Sequence, residues 1–525
     1  MNFCQKATIF VLSTIAAAAS PAQTTQPTPE PPTLFGAERE NTPLSTWRLP
    51  SGHFTPAKMP IHLVYPRPDA ETASWARQKR AYPGLEYRIP VVVQGGAYPY
   101  RYQVVSGPSG MTVGEKYGDA NYGIASWTPA EESGPQQVSI RVTDQQDSFV
   151  DVKFSIEVTR KGFIFLDPNV ATSGDGSIGN PLKTFADVHK GSQDDRTYAG
   201  NILYLRGGTH KLTGWAGNNG NFNVKGDNKP QVWLAYPGEE VVVDASSAGV
   251  YMLEGNSGND MFMHGFRMIN SRADLSNSRF FWFGGENGSR STFFELHFEN
   301  LVRGTSGTDN PGAIVKFRGN SHVEYWAIIG CSIEEYDAPL VGSFYATRYV
   351  VVDNNVLGAS TMSYVDQGIF AKAASDFWSV RGNVSTLQNF SYGALENLGS
   401  SSEYGPQRLE FAYNKLYVPD SGSMAIVYNW TTGEGDPGNS VWIYRNTVVG
   451  EMRGLGHAVY EVVIENNVVL NKNGIQESGS TRTVTERDNL IASRSALTEV
   501  LDADYRLQGK YRDQYLGTHG HEISE

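Results

Sequence analysis

Between about residues 350 and 474 the apolar and polar positions repeat one short phrase five times. Val351-Val352-Asp353-Asn354-Asn355-Val356, Ser379-Val380-Arg381-Gly382-Asn383-Val384, Phe411-Ala412-Tyr413-Asn414-Lys415-Leu416, Trp442-Ile443-Tyr444-Arg445-Asn446-Thr447 and Val463-Ile464-Glu465-Asn466-Asn467-Val468 all set apolar residues around a polar pair that contains Asn. Short runs of this kind predict strands, not helices. Asn355, Asn383, Asn414, Asn446 and Asn467 follow one another at intervals of 28, 31, 32 and 21 residues, the length of one turn of a wound parallel sheet. A coil that short cannot bury its apolar face alone, so coils must stack. An inward Asn at the same corner of each coil can bond the backbone above and below it, which is why Asn recurs there instead of Leu.

The same reading extends upstream. Phe163-Ile164-Phe165-Leu166 predicts an entry strand, residues 180–188 a short helix that caps the open end of the stack, and Ile202-Leu203-Tyr204-Leu205 the first coil. Past Thr485 the repeat fades, and the last dozen residues are expected to be loose. The pattern resembles the right-handed parallel β-helix repeat of the pectate-lyase-like superfamily. Residues 83–159 alternate in five further runs, among them Tyr87-Arg88-Ile89-Pro90-Val91-Val92-Val93 and Val138-Ser139-Ile140-Arg141-Val142-Thr143, separated by Gly, Pro and Asp. These predict a β-sandwich. With Trp127-Thr128-Pro129 and Val142-Thr143-Asp144 it resembles the immunoglobulin-like, cadherin-related modules of secreted bacterial enzymes, which implies a spacer or a carbohydrate-contacting module.

The expected fold is therefore all-β, a right-handed parallel β-helix over residues 162–500 preceded by an Ig-like β-sandwich. Residues 34–82 carry no clear periodicity and stay unassigned. Residues 1–22 read as a secretory signal, with Lys6 before an apolar run and Ser20-Pro21-Ala22 at the cleavage site, so a secreted protein is expected. Residues 23–33, rich in Pro, Thr and Gln, read as an extended linker, and residues 501–525 as a C-terminal tail.

Composition narrows the partners. The 525 residues include 55 Gly, 12% aromatic and only 19% charged residues, a turn-rich β protein. The net charge of −12 becomes −13 once Lys6 leaves with the signal, which opposes nucleic acid or an anionic membrane as partner. No second apolar run reaches transmembrane length. Cys4 leaves with the signal, so Cys331 stands alone, without a disulfide, and is expected to be a buried, inert thiol.

Candidate chemistry comes from lining up the strand before each Asn phrase by its apolar start. The fourth place then reads Lys316, Ser343, Lys372, Asn397 and Asn429, with Glu396 and Tyr428 one place earlier. Stacked strands about 4.8 Å apart would bring these side chains into one patch. It holds an acid/base set suited to β-elimination from a uronic acid: Lys372 as base, Tyr428 as acid, Glu396 beside them, and Lys316, Arg381 or Asn397 to hold the carboxylate. The alternative is that Lys316 and Lys372 are solvated lysines on a sheet face. Trp430, ahead of the Gly-rich segment 431–439, is the first choice for a sugar-stacking platform, with Asn429 next to it.

Phe370-Ala371-Lys372-Ala373-Ala374-Ser375-Asp376 followed by Ser379-Val380-Arg381-Gly382-Asn383 is similar to the Lys-Ser-Ser…Ile-Arg-x-Asn phrase of the alginate lyase and chondroitinase B branch of β-helix lyases. The resemblance carries over Lys372 alone, as the base, and implies Ca2+ as a cofactor, although only Asp366 approaches that family's acidic ligands and no metal site is assigned. The expected activity is a polysaccharide lyase. A glycoside hydrolase using carboxylates such as Asp366, Glu396, Glu403 or Asp436, and a non-catalytic glycan-binding or adhesin protein, remain alternatives.

Overall fold

The structure, a computed structural model, describes residues 59–521 except 116–121, 190–199, 213–221, 224–230, 247–250, 256–258, 271–278, 285–287, 302–312, 319–322, 344–346, 362–366, 373–374, 386–389, 391–392, 399–407, 419–423, 431–439, 455–460, 472–474, 478–482 and 516–519. The signal and linker, and the candidate carboxylates Asp366, Glu403 and Asp436, lie outside the described residues. Among those residues, strands form five sheets, two of four strands and three of twelve, eleven and ten.

The three long sheets are wound from one chain as a right-handed parallel β-helix. One coil illustrates the path: Thr347–Asp353, Val356–Leu357 and Ile369–Lys372 each enter a different sheet, and Ser375–Arg381 starts the next coil beside Thr347–Asp353, with Val351 opposite Ser379. Alternation decides what is inside. Val350, Val352, Trp378, Val380, Leu409 and Phe411 point into one continuous core shared by all three sheets. Phe185 and Val188 of the short helix Phe185–His189 join that core at the first coils, with the Phe185 ring 4.9 Å from that of Trp233, so the expected end-cap is present.

The Asn column forms the predicted ladder. Nδ2 of Asn355, Asn383, Asn414 and Asn446 donates to Oδ1 of the next Asn at 2.9–3.0 Å and also to the carbonyls of Ile328, Val352, Val380 and Phe411. The residue just before each rung turns the corner in the left-handed region, with φ of 58° at Asn354, 64° at Gly382, 56° at Tyr413 and 56° at Arg445. Each Asn thus pairs the backbone that this bend removes from the sheets. Cys331 occupies the place before Asn355, its N–H donating to Asn355 Oδ1 at 2.8 Å, and burial pushes its thiol up to about 12. The expectation that the repeat fades is corrected: Asn489 is a further rung, and Thr483–Arg487 and Leu490–Ala492 pair in register with the preceding coil.

The sandwich starts earlier than its sequence pattern. His62–Tyr65 and Arg80–Ala81, from the unassigned segment, supply a strand to each four-stranded sheet. It is no detached spacer. Ile89, Val91, Ile140 and Phe154 share one apolar cluster with Phe165, Tyr204, Leu234, Phe294, Ile329 and Tyr444, which lie on the outer side of the twelve-stranded sheet. Burying each such side chain stabilises the contact by about 1.5–3 kcal/mol relative to leaving it in water.

The tail is also docked. Leu497, Val500, Leu501 and Leu507 pack on Val449, Val468 and Leu470 of the eleven-stranded sheet. Arg445 Nε donates to the Gly520 carbonyl at 3.0 Å, and His521, 3% exposed, lies 2.7 Å from Thr447 Oγ1. The expected looseness does not extend to these two terminal residues.

Candidate functional site

The sandwich covers the outer side of the twelve-stranded sheet and the tail covers the C-terminal part of the eleven-stranded sheet. The ten-stranded sheet carries most of the residues singled out in the sequence. Its register runs Val315, Val341, Ile369, Leu395, Ile426 along one line and Lys316, Gly342, Phe370, Glu396, Val427 along the next. The first line is in the core, so the second faces outward.

The fourth-place alignment is therefore corrected by one residue in several coils. Lys316 lies in line with Gly342 and not Ser343; Lys372 pairs with Leu398, and Leu398 with Trp430; Asn397 pairs with Ala371. In a strand a slip of one reverses the face. The strand Met424–Trp430 also carries an irregularity, since Glu396 and Leu398 are two residues apart while their partners Val427 and Trp430 are three apart. The side chains of Lys372, Asn397, Asn429 and Trp430 lie outside the described residues.

Lys316 and Glu396 share the outward line, and both are fully buried. Between them stand Gly342 and Phe370. A Cβ at Gly342 would sit 2.5 Å from the Phe370 ring, so the glycine is what lets that ring lie over the preceding strand. Phe370 and Val427 are 1% exposed yet belong to no core cluster, so this side of the sheet is closed as well as charged. Gln367 Nε2 donates to Glu396 Oε2 at 2.6 Å. Sequence reasoning missed Gln367. The signal was the glycine after it, because a Cβ at Gly368 would lie 2.3 Å from the Ala394 carbonyl oxygen, marking a close approach of two coils. A buried lysine and glutamate on one outward line are costly unless paired or used.

Two expected members are not brought to this patch. Tyr428 points the opposite way and is part of the core, fully buried, so it is not the acid in this arrangement. Arg381 is on the twelve-stranded sheet: Nη2 lies 2.6 Å from Asp353 Oδ2 and 2.9 Å from the Val93 carbonyl, and Nη1 donates to Tyr100 OH. It binds coil to coil and coil to sandwich, and cannot at the same time hold a substrate carboxylate. Ser343 is likewise spent inward, in a buried hydroxyl triangle with Thr347 and Ser375 at 3.0–3.2 Å. Among the described residues, no group of three or more His, Cys, Asp or Glu is placed to hold a metal.

Fold and site together define a class: a right-handed parallel β-helix with a β-sandwich docked along one side and charged residues on another. No protein-family model matches the chain, and no curated protein matches it. Among solved structures it is similar to the pectate lyase Pel9A, at 14% identity and a TM-score of 0.29 over 67% of this chain and 90% of that one. It is also similar to the family 28 exopolygalacturonase of Yersinia enterocolitica, at 9% identity and a TM-score of 0.38 over 79% and 94%. No residue role is carried over from either. No described helix is long and apolar enough to cross a membrane.

Proposed function

We propose that this is a secreted polysaccharide lyase that cleaves a uronic-acid-containing polymer by β-elimination on the outward side of the ten-stranded sheet. The observation that carries the reading is the outward line on which Lys316 and Glu396 are both buried, with position 372 two residues past Phe370 in the strand between them. Two residues is the spacing at which a strand returns to the same side, and the diagonal from position 372 to Glu396 on the adjacent strand is about 8 Å between Cα atoms.

In this reading Lys372 removes the proton beside the substrate carboxylate, and Lys316 stabilises the negative charge that develops there. The electron pair left on that carbon forms the new double bond as the neighbouring carbon–oxygen bond breaks. Glu396, held by Gln367, gives a proton to the departing glycosidic oxygen. The test is incubation with a panel of uronic polymers, following both the ultraviolet absorbance of the unsaturated product and the release of reducing ends. Lys372→Ala is expected to lower the rate by about 100-fold or more while leaving the fold intact. Reducing ends without the absorbance would mean a hydrolase. Neither signal, with glycan still bound, would mean a binding protein.

A further inference from the structure

A second concave region lies away from the ten-stranded sheet, around the corner where the twelve-stranded and eleven-stranded sheets meet. Two cavities, of about 220 and 580 Å³, share Gly265 and Glu295 as walls, one toward the sandwich and one on the eleven-stranded sheet. The larger has the size of ordinary small-ligand sites, about 300–1,000 Å³.

The wall between them is conformationally unusual. The equivalent corner position in successive coils is Gly265 (φ 83°), Glu295 (φ 50°) and Gly330 (φ 64°). Glycine adopts this backbone at little cost, whereas a side chain there is strained. The chain nevertheless places a carboxylate at the middle corner and fixes it from three directions. Arg88 Nη2 of the sandwich donates to both oxygens at 2.9 and 3.0 Å, Tyr122 OH donates at 3.4 Å, and His264 Nε2 lies 3.4 Å away.

On the eleven-stranded sheet, Arg267, His297 and Ser332 follow one another in register, with Ile269, Glu299 and Glu334 beside them. His297 Nδ1 lies 2.8 Å from Ser332 Oγ and its Nε2 is 3.6 Å from Glu299, which also pairs with Arg267. Glu299 and Glu334 are therefore one strand spacing apart, roughly 4.8 Å, with an arginine donor next to them. Carboxylates accept from hydroxyls and the guanidinium donates to them, so the edge of a pyranose ring can satisfy the whole row. Charge selects the kind of sugar. The two cavities are lined by three arginines and five glutamates, and burial holds both His264 and His297 below the ordinary imidazole value, leaving them neutral. The surplus of negative charge repels a uronate.

We propose that this corner is a second glycan site, taking an uncharged, hydroxyl-rich oligosaccharide, separate from the ten-stranded-sheet site and independent of whether that site is a lyase. The test is calorimetric titration of the full chain with neutral xylo-, cello- and manno-oligosaccharides and with a matched oligouronate, in the parent protein, Glu334→Ala, Glu299→Gln and Lys372→Ala. The proposal expects a neutral oligosaccharide to bind, its Kd to rise at least tenfold in both glutamate variants, and Lys372→Ala to leave that binding unchanged. Failure of all three neutral series to bind, or a Kd unmoved by both glutamate substitutions, overturns it. Glu334 makes no contact with the sandwich core, so Glu334→Ala keeps the test readable if Glu299→Gln disturbs the Arg267 pair.

Discussion

Arg381 and Asp353 meet on adjacent coils with Nη2 2.6 Å from Oδ2, their side chains only 1% and 4% exposed. The same guanidinium reaches the Val93 carbonyl at 2.9 Å, so one arginine ties two coils to the sandwich. Removing one member of a buried pair strands the other without water. Arg381→Ala should cost about 3–5 kcal/mol in denaturant unfolding, and Arg381→Met combined with Asp353→Leu should recover much of that loss. If the double variant is no more stable than Arg381→Ala, the stranded charge is not the cause.

Asn414 is the middle rung of the ladder. Its Oδ1 accepts from Asn383 N and Nδ2, both at 3.0 Å, and its Nδ2 serves Val380 O and Asn446 Oδ1 at 2.9 Å. Asn414→Ala leaves several buried groups unpaired, each worth about 1–3 kcal/mol, so a loss of roughly 3 kcal/mol or more is expected after relaxation. Asn489→Ala, at the partly buried end of the ladder, should cost clearly less; equal losses would count against a cooperative column.

Stability should fall on mild acidification because of histidine. Burial, the largest cause in each case, holds His62, His210, His264 and His297 below the ordinary imidazole value. As pH drops through about 6.5 the unfolded chain takes up protons that the folded chain refuses, so this stability is complete above about 6.5 and is lost below it. Asp353, pushed up to about 6 by burial against the pull of Arg381, works in the opposite sense, its contribution being lost as pH rises toward about 6. Comparison with His264→Gln separates the two: the slope of Tm against pH below about 6.5 should become shallower in the variant, and an unchanged slope would remove His264 from the account.

Gly342→Ala tests the outward line. The added methyl would meet the Phe370 ring at 2.5 Å, and overpacking of this kind costs about 1–3 kcal/mol. If the line of Lys316, Phe370 and Glu396 is the working surface, activity on a uronic polymer should drop along with stability. Activity equal to the parent, in a variant whose unfolding confirms the strain, would place the chemistry elsewhere.

Parts of the candidate site were legible and parts were not. Lys316 and Glu396 were found because charged residues stand out in apolar strands, and they do share a line. Arg381 and Tyr428 were misplaced for different reasons. Arg381 sits in an Asn phrase whose polar members looked interchangeable, but its partners Val93 and Tyr100 lie almost 300 residues earlier. Tyr428 follows a strand irregularity that no periodicity announces. Glu295 and His297 were passed over because nothing in their local pattern marks a corner; only the glycines at 265 and 330, read as equivalent positions, could have done so.

The sequence by itself determined the winding. Apolar alternation and the spacing of Asn355 to Asn467 are local and repetitive, and each coil meets the same stacking requirement as the one before it, so the pattern is written many times over. Only the tertiary structure decided which polar residues are spent on holding the body together and which remain for chemistry. That choice depends on single-residue register and on where the sandwich docks. Both are set by contacts between segments far apart in the chain, which a local pattern does not encode.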